Sequence, residues 1–333
     1  MVFHPAIYAL FVGSVLISAM LIYSACYAVR ILRSWNIRSG GELQLKLERR
    51  TYLISTMVTY AFGFQLISLF LFIFTADHLH TLFVGAMCAA GSLNVNAFGY
   101  PTVILKTVNF ILAGLWLIVN FTDNRAYDYP LIKKKYLLLL LITPGIVIEA
   151  IIQTSYFLYM KPNIITSCCG ALFSADVEGV TSGVVALPVL PVSAAFYTIT
   201  LLTLALGIFF YFRGRGAYLF SLATTGTFIV SMVALVSYVS LYIYELPTHH
   251  CPFDILQANY HFVGYPLYAS LLGSTASGIG VGVIAPFKKI KSLARVVPFV
   301  QRGLTLASLG LSSIFLGIVV YSVASSNLTL ALF

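Results

Sequence analysis

AIYALFVGSVLISAMLIYSACYAV, residues 6–29, contains no Asp, Glu, Lys or Arg. As a helix it would be about 36 Å long, enough to cross a hydrocarbon core of about 30 Å. It exceeds the apolar segment of a secretory signal, and no basic segment precedes it, so it is expected to remain a membrane helix. Similar runs recur to the end of the chain.

Of the 333 residues, 60% are hydrophobic and 9% charged, against about 25% charged in a soluble domain. The reading is an all-α polytopic membrane protein, a single transmembrane domain over 1–333. Eight spans are predicted at 6–30, 52–75, 101–121, 136–159, 188–212, 217–244, 265–286 and 303–325. The net charge of +9 does not point to nucleic acid, because the basic residues fall in short segments between apolar runs.

Those segments set the orientation. Every Lys and Arg except Lys106 and Lys161 lies in the first, third, fifth or seventh connection or at its helix ends. Short basic loops stay cytoplasmic, so both termini are expected outside, with connections 76–100, 160–187 and 245–264. These outer connections carry Cys88, Cys168, Cys169 and Cys251, and also His78, His80, His249, His250 and His261. No cysteine or histidine falls in a cytoplasmic loop. His4 and His261 are read as bystanders, and Cys26, inside the first span, as packing. The expected location is a bacterial inner membrane, with the lipid bilayer as the one certain neighbour.

A faint repeat accompanies this topology. NVNAFGYPTVIL (94–105) opens the third span and NYHFVGYPLYAS (259–270) the seventh, each with a cysteine upstream. Duplication would give parallel four-helix halves, 1–165 and 166–333. The alternative is that Gly-Tyr-Pro is simply a good helix entry, with proline in the first turn and tyrosine at the interface.

HHCPFD (249–254) offers two imidazoles, a thiol and a carboxylate beyond a helix end; SCCG (167–170) adds two thiols, and DHLHTLFVGAMC (77–88) a His-x-His pair and another thiol. Thiolates and imidazoles suit Cu(I) and Zn, usually three or four to a site. No Cys-x-x-Cys or His-Glu-x-x-His occurs, so the signal is convergence of three loops. The expected ligands are a subset of Cys88, Cys168, Cys169, Cys251, His249, His250, His78 and His80, holding copper in preference to zinc. The same cysteines also suit thiol–disulfide chemistry in an oxidising compartment. Haem ranks below both, since no histidine lies deep within a span.

Within the membrane, Lys106 and Glu149 should face protein and find partners. They sit on neighbouring spans, at depths that differ by a turn or more. They read either as a proton or cation path or as a polar contact completed by Gln153. Pro144–Gly145 should kink the fourth span near Glu149. GSTASGIGVGVIAP (273–286) is no phosphate loop, since no strand precedes it; its small residues permit close helix packing.

Three functions remain open, and the sequence does not decide whether the protein is an enzyme. The first is metal binding at the extracytoplasmic face for metal handling or cofactor assembly, with a metallochaperone as partner. The second is a thiol oxidoreductase, or an electron-transfer partner, working with an extracytoplasmic thioredoxin-like protein. The third is a non-catalytic subunit of a respiratory or transport complex with structural disulfides.

Overall fold

The computed structural model describes residues 5–36, 41–161, 166, 180–185 and 187–328. It is 84% helical, and no strand occurs among the described residues. Among them, eight helices are long and apolar enough to cross a membrane: Pro5–Ser34, Glu42–Leu82, Gly99–Asn124, Ile132–Leu158, Val189–Arg213, Ala217–Tyr244, Gly264–Lys289 and Val296–Ser325. This is a multi-pass membrane architecture. Large side chains such as Tyr60, Phe212 and Leu222 stand more than 70% exposed on these helices, as lipid-facing residues do.

The helices outrun the predicted spans where the sequence turns polar. The second starts at Glu42 and the eighth at Val296. Charge excludes a residue from hydrocarbon, not from a helix. The fifth helix ends at Gly214 and the sixth begins after Gly216, both left-handed at φ 63° and 89°, a conformation glycine adopts without strain.

The chain divides into two compact units. Unit 1 comprises residues 1–72, 97–160 and 283–301. Its core follows the helical period: Ile17, Leu21 and Ala28 on the first helix meet Ile54, Val58 and Phe62 on the second and Tyr136, Leu139 and Ile146 on the fourth. Trp116 lies edge-on to Phe62, with ring centroids 5.1 Å apart.

Unit 2 comprises residues 73–96, 161–282 and 302–333. Its helices approach closely through small residues. A Cβ on Gly278 would fall 2.5 Å from the Thr224 hydroxyl oxygen, and one on Gly282 would fall 2.6 Å from Ser221 Cβ. The small residues of the seventh span therefore serve packing. Phe196, Leu235, Leu267 and Phe315 fill the remaining interior.

Candidate metal centre

The site lies in unit 2 and begins with the stretch around Cys88. After a 3-10 turn at Leu79–Leu82, the Thr166 amide bonds to the Val84 carbonyl at 3.0 Å. Gly85 follows at φ +88°, where a Cβ would run into the Thr166 carbonyl oxygen. The Thr166 hydroxyl donates to Gly91 O at 2.9 Å. Cys88, extended, then caps a short, fully buried helix, Ala89–Leu93. The Asp77 carboxylate accepts that helix's Ala89 amide at 3.1 Å, capping an otherwise unpaired donor.

The second half comes from the end of the sixth span. There Leu235–Val239 forms a π-helical turn, a widening that recurs at functional sites. The Val236 carbonyl of this turn accepts His250 Nδ1 at 3.0 Å. The helix stops at Glu245, left-handed at φ 55°. Tyr244 then organises the following loop: its hydroxyl donates to the Cys251 carbonyl at 2.6 Å and accepts from the Ile255 amide at 2.9 Å. Tyr268 donates to the Pro252 carbonyl, also at 2.6 Å. Gln257 fastens this loop to the first, donating to Met87 O at 2.8 Å and to Asp77 at 3.2 Å.

The two loops bring Cys88 and Cys251 together with both side chains fully buried, their sulfurs 3.6 Å apart. A carboxylate oxygen of Asp254 joins them, so that the three ligating atoms lie within 4.8 Å of one another. The Phe253 amide donates to Cys251 Sγ at 3.4 Å. Asp254 Oδ2 is 2.5 Å from His249 Nε2. Its other oxygen, Oδ1, is buried and has no hydrogen-bond partner among the described residues. Burial, followed by the charges of Asp254 and Cys251, pushes the nearby Tyr260 phenol above its usual range.

The remaining expected ligands fall elsewhere. His249 backs the carboxylate, its ring edge-on to Tyr244. Because a carbonyl only accepts, His250 Nδ1 carries the hydrogen in its bond to Val236. His78 is exposed and stacks on Phe74; His80 bonds to the Asp77 carbonyl. Cys168, Cys169 and His4 lie outside the described residues. His261 occupies an exposed left-handed turn. Cys26 is exposed, not packed inside as expected. The sequence marked Asp254 only as part of HHCPFD; its place beside two sulfurs comes from the turn at 252–256.

Unit 1 holds a different polar interior. Lys106 Nζ meets Glu149 at 2.8 Å and Ser68 at 3.1 Å. Gln65 and Asn109 each donate to the other Glu149 oxygen at 2.6 Å. The expected mismatch in depth does not prevent the pair, because the lysine's four-carbon stem spans it. The expectation that Gln153 completes this contact fails: its amide donates instead to Leu10 O and Ser14 Oγ. The helix runs unbroken through Pro144, and Gly145 leaves room for Asn109. A second buried pair, Lys135–Asp123 at 2.8 Å, escaped the sequence reading, which counted Lys135 as one of three loop lysines.

No known protein family, curated protein or solved structure matches this chain.

Proposed function

We propose that Cys88, Cys251 and Asp254 bind a thiophilic metal ion. The observation that carries this reading is the convergence of two buried sulfurs on a buried carboxylate, Asp254, one of whose oxygens has no hydrogen-bond partner among the described residues. A buried carboxylate oxygen without a donor is costly, and a cation would satisfy it. The spacing also fits: two thiolates about 2.3 Å from one metal at a tetrahedral angle lie about 3.8 Å apart, against 3.6 Å here. Copper(I) and zinc both suit two thiolates; a carboxylate as third ligand shifts the preference from copper towards zinc. His249 would orient that carboxylate from behind.

The distribution of basic residues supports an outer location for this site, with both termini outside. The two Gly-Tyr-Pro helix entries, each preceded by one of the ligand cysteines, support parallel four-helix halves. In this reading the protein handles a metal, or assembles a metal cofactor, at the extracytoplasmic face of a bacterial inner membrane, exchanging the ion with a metallochaperone. The test is metal content per chain by elemental mass spectrometry after anaerobic purification. About one zinc or copper per wild-type chain, lost in Cys251→Ser and Asp254→Asn at unchanged protein level, is the expected result; wild type without metal after growth in replete medium would sink the proposal.

The sulfur–sulfur contact also favours a second reading, thiol–disulfide exchange. Here both thiols lose their protons and give two electrons to the disulfide of a thioredoxin-like partner, forming a Cys88–Cys251 bond. Maleimide labelling of metal-depleted protein, unfolded in denaturant so that both buried cysteines are reachable, distinguishes the two. This reading expects both cysteines blocked until reduction and a mixed disulfide trapped in Cys88→Ser; the metal reading expects both labelled.

A further inference from the structure

Unit 1 contains a cavity of about 220 Å³ at the ends of its helices where basic residues gather. Its inner wall is built from Lys135, Asn120 and Thr51, at 1%, 5% and 6% exposure. Trp35, Tyr52 and Tyr129 supply aromatic walls. We propose that this cavity binds the headgroup of a membrane quinone, a neutral planar ring with carbonyl acceptors.

The inner wall has hydrogen-bond donors to spare. Lys135 Nζ pairs with the Asp123 carboxylate at 2.8 Å and donates to Asn120 Oδ1 at 3.2 Å, leaving at least one of its three N–H bonds unused. Asn120 Nδ2 donates to Thr59 at 3.2 Å, leaving a second N–H. The Thr51 hydroxyl is buried and has no partner among the described residues. Three donors on one wall ask for acceptor oxygens.

Charge narrows the choice. Asp123 neutralises Lys135, and Glu48 also lines the cavity, so the lining offers an anionic phosphate no unpaired positive charge. A neutral carbonyl needs none. Size narrows it again: a cavity of about 150 Å³ holds benzene, so this one takes a single substituted ring. Exposed Tyr52 and Thr56, on the outward side of the second helix, would let an isoprenoid tail leave towards lipid. None of these residues belongs to the sulfur site, so the inference is independent of the metal reading.

The test uses the full chain in detergent, with decylubiquinone as probe and tryptophan emission as readout. The chain has two tryptophans: Trp35 lines the cavity, and Trp116 donates to the Lys135 carbonyl. Saturable quenching is expected, with Thr51→Val weakening the affinity about threefold to tenfold, the worth of one hydrogen bond. Thr59→Phe, which fills the cavity, should abolish it. Quenching that rises linearly with probe, or the same half-saturation in Thr51→Val as in wild type, overturns the proposal. So does a purified protein whose cavity ligand proves by mass to be a phospholipid.

Discussion

The interiors of the two units solve the same problem differently. Unit 1 buries charge: Lys106 with Glu149 and Lys135 with Asp123, each pair surrounded by amide or hydroxyl groups. Unit 2 buries hydroxyls. Thr203 pairs with Thr227 at 2.8 Å, and Ser274 with Ser312 at 2.5 Å, across helices brought close by glycine. The difference teaches where stability resides. A buried ion pair fixes partners strongly, since losing either leaves an uncompensated charge. Hydroxyl pairs allow closer backbones and contribute little each. Among the described residues of unit 2, the Asp254 carboxylate stands beside two buried sulfurs and keeps one oxygen without a partner, apart from the hydroxyl pairs that pack the helices.

The largest expected effect breaks unit 1. Lys106→Met leaves Glu149 buried with two amide donors but no cation, and should destabilise by about 3–5 kcal/mol, read as thermal unfolding in detergent. Lys106→Met/Glu149→Met should lie closer to wild type than either single change; a double variant worse than both would show that the pair does more than satisfy itself. Lys135→Met should be milder, about 3 kcal/mol at the lower end of that range, because Lys135 lines the cavity and the shorter, uncharged side chain would let its water reach Asp123. Equal losses at Lys106 and Lys135 would contradict that role for the cavity.

Unit 2 should respond to shape before polarity. Gly278→Ala forces a methyl into Thr224 and should cost about 1–3 kcal/mol. Thr227→Val removes one hydroxyl pair and should cost about 1 kcal/mol or less. If Thr227→Val proved the more damaging in a side-by-side melt, the hydroxyls and not the close packing would hold unit 2.

Much of the architecture was legible because hydrocarbon imposes a coarse code: length, apolarity and missing charge mark a span whatever it packs against. Helix ends were less so, as charged residues extend helices beyond the apolar run. Lys135 illustrates the limit. In KKK (133–135) three identical residues read alike, yet the helical turn sends Lys135 inward to Asp123, while Lys134 sits over the Phe287 ring. At the candidate site, Cys88 and Cys251 were marked by chemistry and by the Gly-Tyr-Pro entries beside them. Asp254 was visible as a residue but not as a ligand, because its approach to sulfur depends on the turn that Tyr244 and Tyr268 hold in place. Gln257, which joins the two loops, carried no signal in the sequence.

The most direct test of the metal centre is X-ray absorption fine structure at the metal edge of the anaerobically purified protein. The account predicts two sulfur neighbours at about 2.3 Å and oxygen or nitrogen neighbours at about 2.0–2.2 Å, with the sulfur contribution halved in Cys88→Ser. A coordination shell without sulfur, or no bound metal to measure, would contradict it.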